Sequence, residues 1–247
     1  MQLPREWYNS DTMSNELLIL VGTAASLGFI HTLIGPDHYL PFVAMARIGR
    51  WSTTKTALVT FLCGIGHVLS SILLGFVGIT LGLAVTRLAA FESARGEIAA
   101  WLLIAFGLTY FVWGLHRAIR GKPHEHVHIH DEGVHSHEHG HMGDHVHVHQ
   151  ATIQAMTPWI LFTIFVFGPC EVLIPLVIYT AARHSMLSVA MVSGVFGIST
   201  ISTMLAVVLV SHLGLARLRM GRLEKYSQAI GGLVVLLCGS AIKFLGL

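Results

Sequence analysis

The sequence predicts an all-α integral membrane protein of six transmembrane helices. They form a 3+3 inverted repeat with broken helices at Gly35-Pro36 and Gly168-Pro169. Three observations lead there. Of 247 residues, 11% are charged and 53% hydrophobic, whereas a soluble domain carries about 25% charge. So little charge cannot cover a water-facing surface, and the mean hydropathy is +0.68. Uncharged apolar runs recur at the length that crosses a bilayer. The chain also overlays on itself at the places where helices must break. The net charge of +2 supplies no field for nucleic acid. Three cysteines, all inside apolar runs, are too few for a disulfide framework.

Residues 1–16 form a polar N-terminus without the pattern of a cleaved signal peptide. Residues 17–116 are the first three-helix repeat, 117–152 a His-rich loop, and 153–247 the second repeat. The first run, Leu17 to Ile34, ends at Gly35-Pro36, and a shorter run continues from Tyr39 to Ala46. The second covers Ala57 to Val85 and the third Ile98 to Leu115; Pro158 to Ala182, Met186 to Leu209 and Ala229 to Leu247 follow. At 1.5 Å per residue, roughly 20 residues cross a hydrocarbon layer of about 30 Å.

Ten basic residues gather on one side: Arg47, Arg50, Lys55, Arg117, Arg120, Lys122, Arg217, Arg219, Arg222 and Lys225. Five fall on the other: Arg5, Arg87, Arg95, Arg183 and Lys243. The richer side is expected to be cytoplasmic, with the His-rich loop inside and both termini outside. The chain is thus expected in the cell membrane, multi-pass, with lipid as its surroundings and the question of homo-oligomers open.

Shifting the chain by 133 positions places Gly35-Pro36 on Gly168-Pro169, Arg50 on Arg183 and Gly64 on Gly197. Asp37-His38 falls on Cys170-Glu171, and His67 on Thr200. Three crossings per half force the second half to enter from the opposite face. That is the inverted-repeat plan of many secondary transporters, whose broken helices meet near the midplane.

Ionisable side chains at bilayer depth cost about 2.5–3.5 kcal/mol for Asp on insertion scales, and such residues are functional candidates by default. His31, Asp37 and His38 cluster at the first break, His67 follows Gly64-Ile65-Gly66, and Cys170 with Glu171 marks the second break. Nitrogen, carboxylate and sulfur donors suit a borderline divalent ion: Ni²⁺, Co²⁺ or Zn²⁺. Asp37 and Glu171 together carry two negative charges, which one divalent ion neutralises. Without the ion, facing carboxylates in low dielectric take up protons, so metal and protons can exchange at one site. Gly64, Gly66, Gly75, Gly78 and Gly82 read as close-packing positions.

Eleven histidines fall in the 26 residues from His124 to His149: His124, His126, His128, His130, His135, His137, His139, His141, His145, His147 and His149. With five acids and no Lys or Arg, the segment can build no core and is expected to be disordered when free, binding transition ions weakly. His126–His130 and His145–His149 alternate His with β-branched residues. Each, when extended, aligns its imidazoles on one face, so metal-clipped pairing of these two tracts as a hairpin is expected.

The run Gly28-Phe29-Ile30-His31-Thr32-Leu33-Ile34-Gly35-Pro36-Asp37-His38-Tyr39-Leu40-Pro41-Phe42, with Gly64-Ile65-Gly66-His67 downstream, resembles the nickel/cobalt transporter superfamily. It is closest to the six-span nickel/cobalt efflux and urease-accessory-type membrane proteins. The resemblance implies metal recognition by His31, Asp37, His38 and His67. Five residues separate His31 from Asp37, where that family usually has four. Gly168-Pro169-Cys170-Glu171 in turn resembles the Pro-Cys motif of membrane thiol relays. Those need a cysteine in each half, and here Asp37 stands at the matching position, with Cys63 the nearest substitute.

The expectation is a secondary transporter of Ni²⁺ or Co²⁺, with efflux coupled to protons. It is not an enzyme, has no catalytic residue and holds no permanent cofactor. No Gly-x-x-x-x-Gly-Lys-Ser/Thr run is present for ATP. The alternatives are a metal importer, a membrane accessory protein supplying nickel to an enzyme, and a thiol-disulfide electron carrier.

Overall fold

The computed structural model describes residues 5–82, 85–120, 124–130, 133–139, 147–170, 172–217 and 221–246, with side chains for 15–82, 86–120, 156–170, 172–217 and 224–246. The body of the molecule is helical. Helix α1 (Arg5–Ile34) stops at Gly35, one turn of 3-10 helix follows (Pro36–His38), and α2 (Leu40–Ile48) resumes. Then come α3 (Thr53–Thr80), α4 (Val85–Arg120), α5 (His147–Phe167), α6 (Leu173–Arg183), α7 (Met186–Ala216), a 3-10 stretch (Gly221–Tyr226) and α8 (Ser227–Leu245). Five helices among the described residues are long and apolar enough to cross a membrane: Asn15–Ile34, Thr53–Thr80, Thr86–Arg120, Met186–Ala216 and Glu224–Leu245. Met156–Phe167 and Leu173–Arg183 are apolar but shorter. Large apolar side chains stand exposed along these helices, among them Leu18, Ile198 and Val210, each about 70% exposed or more, as lipid-facing positions require.

Both breaks have the same cause. Pro36 and Pro169 lack the N–H that would continue the ladder, and each restricts the glycine before it. After the first break, the His38 and Tyr39 amides bond to Gly35 O at 3.1 Å and Pro36 O at 3.4 Å. Pro41 then sits in the first turn of α2, where a missing N–H costs nothing. After the second, Leu173 N donates to Cys170 O at 3.0 Å and starts α6. Helix starts recur at the 133-residue offset: Leu40 and Leu173, Thr53 and Met186. The caps recur with them, as the Ser52 hydroxyl accepts from Lys55 N and the Ser185 hydroxyl from Ser188 N.

Helix α1 lies along α7, and α5 along α3; α2 packs on α8 and α7, while α6 packs on α4 and α3. Helices α4 and α8 pack most intimately. A Cβ on Gly107, Gly114 or Gly232 would strike backbone atoms of the facing helix, so only glycine permits that approach. One apolar core gathers Phe42, Met45, Leu161, Phe165, Met204 and Val235. A second gathers Leu173, Val177, Val189, Val192 and Phe196.

Three sequence expectations are corrected. Hydropathy places the third run at Ile98 to Leu115, but α4 begins at Val85. Glu92 and Arg95 are therefore buried inside the bundle rather than on a face, because they pair with each other. Arg95 then leaves the surface charge tally, which stands at ten against four. The hairpin expected between 126–130 and 145–149 is also not the one found. The backbone of β1 (His124–His130) pairs antiparallel with β2 (Gly133–His139), His126 opposite His137. A tight connection between neighbouring strands closes at lower entropic cost, and His147 and His149 belong to α5.

Candidate metal centre

The site lies where the two breaks meet, between the two apolar cores. His31 arrives on the last turn of α1, Asp37 and His38 on the 3-10 turn, His67 from the middle of α3, and Cys170 on the non-helical stretch before α6. The His38 ring stands edge-on between the other two imidazoles, its centroid 4.7 Å from His31 and 5.1 Å from His67. Phe196 of one core flanks His31 at 6.5 Å, and Phe165 of the other flanks His67 at 6.2 Å. One donor atom each from His31, His67 and Cys170 lie within 4.8 Å of one another. His38, His67 and Cys170 are almost fully buried.

Four nitrogens here have no hydrogen-bond partner among the described residues: Nε2 of His31, Nε2 of His38, and both ring nitrogens of His67. The Phe165 carbonyl lies near the His67 ring but outside hydrogen-bond geometry. Buried polar atoms are normally satisfied, since each orphan costs about 1–3 kcal/mol. Here four such atoms gather on three adjoining imidazoles.

The tautomer of His38 follows from its neighbours. Nδ1 lies 3.1 Å from Asp37 Oδ1 and 3.2 Å from Gly35 O. A carboxylate and a carbonyl only accept, so Nδ1 carries a proton, and in the neutral ring Nε2 presents its lone pair to the cluster. A carboxylate behind a ligating imidazole is the usual way such a ring is oriented and made more basic. Asp37 is thus set against His38, and neither of them is one of the three mutually close donors.

A cavity of about 620 Å³ is lined in part by His31, Asp37, His38 and His67. Glu97 of α4 and Lys243 of α8 also line it, and these two are paired. Gly66 lets α5 approach His67: a Cβ there would come within 2.9 Å of Val166 and 3.0 Å of Phe162. Gly28 does the same for α1 against α7, with Phe196 O only 2.8 Å from where a Cβ would stand. Thr200, the counterpart of His67 at the 133-residue offset, is buried with an unpartnered hydroxyl.

Five of the expected site residues, His31, Asp37, His38, His67 and Cys170, are therefore brought together. Glu171 lies outside the described residues. So do His141 and His145, and so do the side chains of the other loop histidines from His124 to His149. Sequence reasoning missed Glu92 and Arg95, although an acid and a base three residues apart on one helix was the available signal. Comparison of the chain with family models, curated proteins and solved structures gave no match.

Proposed function

We propose that the chain is a six-span secondary transporter of a divalent transition-metal ion, Ni²⁺ or Co²⁺ foremost and Zn²⁺ third, exported in exchange for protons. The observation that carries this is the set of unpartnered buried nitrogens on His31, His38 and His67 beside the Cys170 thiol. Imidazole and thiolate donors favour such ions over Mg²⁺ or Ca²⁺. Asp37 and a Cys170 thiolate would offset the charge of one divalent ion. When the ion leaves, protons replace it, because these donors bind metal only in deprotonated form.

The packing supports the 3+3 repeat. Exchange of the halves turns the α1–α7 contact into α5–α3, α2–α8 into α6–α4, and α2–α7 into α6–α3, and every one of these pairs is present. The shared offsets of the breaks and the serine caps point the same way. On this reading α5 and α6 together make one broken crossing, as α1 and α2 do, and the halves rock about the site. The resemblance of the His31…Asp37-His38 and Gly64-x-Gly66-His67 runs to nickel/cobalt transporters agrees with the choice of ion. A cytoplasmic His-rich loop that gathers excess ions on the inner side suits export.

The thiol-relay alternative has less support, because Cys63 packs in one core and Cys170 in the other. Flux of Ni²⁺ and Co²⁺ into liposomes carrying the purified protein tests the proposal. Flux is expected, and the triple substitution Asp37→Ala, His38→Ala, His67→Ala is expected to abolish it. Equal flux in the triple variant, or none in the parent as for an accessory protein, would reject transport through this site. Accumulation of radioactive Ni²⁺ in cells is expected to fall when the chain is produced; a rise would make it an importer.

A further inference from the structure

Two buried charges take no part in the donor set. Glu92 is 0% exposed and Arg95 8%. They pair through Arg95 Nη1 and Glu92 Oε1. Several of their other contacts run to the segments that carry the candidate metal donors. Arg95 Nη2 donates to Val166 O at 2.7 Å, to Ser70 Oγ at 2.7 Å and, more weakly, to Gly168 O at 3.4 Å. Glu92 Oε2 accepts from Cys170 N at 3.3 Å. Ser70 Oγ donates in turn to His67 O at 2.8 Å. One salt bridge thus ties the end of α5, the Cys170 backbone and the turn of α3 that bears His67.

The break explains the need. When α5 stops at Phe167, its last carbonyls lose their helical partners. Arg95 takes one of them, Val166 O, and reaches the carbonyl of Gly168 just beyond the helix. Cys170 lies outside both helices, so no helical ladder holds its amide, and Glu92 holds it instead.

We propose that Glu92 and Arg95 are positioning residues that hold the Cys170 sulfur within coordinating reach of His31 and His67, so that the cargo is taken up by imidazole nitrogens together with one thiolate. This rests on the metal-site reading above. A metal ligand must sit within about 0.2 Å of its bonding distance, so a segment released from Glu92 loses the sulfur while the imidazoles, carried by α1 and α3, stay. The site then keeps an ion but no longer prefers the softer ones.

The test is Co²⁺ titration of the full-length protein in detergent, followed by absorption. The native chain is expected to show the near-ultraviolet thiolate-to-cobalt charge-transfer band, and Cys170→Ser to lack it. Glu92→Gln and Arg95→Lys are expected to bind Co²⁺ about tenfold more weakly or worse, with the band lost and Mn²⁺ affinity changed less. Ser70→Ala, which removes one bond from the guanidinium and leaves the pair intact, serves if Arg95→Lys fails to give a monodisperse protein; its band is expected to weaken. A band of native intensity with affinity within about twofold of native in these variants overturns the proposal. A native chain that binds Co²⁺ without the band also overturns it and leaves the metal site standing. A native chain that binds no Co²⁺ removes the site itself.

Discussion

Replacing Gly35 by alanine separates the geometry of the site from the stability of the fold. The Gly35 backbone is extended, at φ −77° and ψ 99°, which any L residue adopts, so the substitution introduces no backbone strain. The added methyl would stand 2.6 Å from His38 Nδ1 and 2.8 Å from Asp37 Oδ1. Relief to an ordinary contact of about 3.4 Å requires the His38 ring to retreat by about 0.8 Å. That exceeds the roughly 0.2 Å tolerance of a metal–ligand bond, and it breaks the carboxylate–imidazole pairing that sets the tautomer. Loss of such pairing costs about 10- to 100-fold in metal affinity, or about 1.4–2.8 kcal/mol. Calorimetric titration with Ni²⁺ should show this weakening, with the thermal midpoint shifted little. Gly22→Ala is the control, because a Cβ there meets nothing within 4 Å. Unchanged affinity in Gly35→Ala, or equal weakening in Gly22→Ala, would refute the reasoning.

Metal affinity should fall as pH drops, by about tenfold per pH unit for each proton displaced, because imidazole and thiol bind metal only when deprotonated; competition titrations at two pH values measure it, and a flat profile would contradict it. Cys170→Ser should weaken Co²⁺ and Zn²⁺ by more than about tenfold while changing Mn²⁺ less, reflecting donor softness. Gly232→Leu should destabilise the α4–α8 contact by about 1–3 kcal/mol or more, since a Cβ there meets Tyr110 C at 2.6 Å and Phe111 Cα at 2.8 Å; thermal unfolding in detergent reads the loss, and an unaltered midpoint would count against that packing. Single cysteines at Thr53 and Met186 should react with impermeant reagents from opposite faces of the membrane, whereas labelling from one face would sink the inverted repeat.

Much of this architecture is legible in the chain because its strongest signals act locally. A proline cannot continue a helix ladder, so Gly35-Pro36 and Gly168-Pro169 announce both breaks without any knowledge of the neighbours. Histidines and an acid stranded in apolar runs announce the site, and the fold brings His31, Asp37, His38, His67 and Cys170 together. The role of Asp37 is less legible, because whether a carboxylate meets the ion or orients an imidazole depends on distances of a few tenths of an ångström. The extent of α4 is not readable from hydropathy. Glu92 and Arg95 look like surface charges until their pairing, and the carbonyls of a helix seventy residues away, make burial tolerable. The pairing partner of the His126 tract is likewise a matter of chain connection, since both candidate tracts alternate in the same way.

The most direct measurement is an anomalous-difference map from crystals soaked separately in Ni²⁺, Co²⁺ and Zn²⁺. A single strong peak bounded by His31, His38, His67 and Cys170, with Asp37 behind His38, is the expected result. Density confined to the histidine loop, or none between the two breaks, would contradict a metal path through the middle of the bundle.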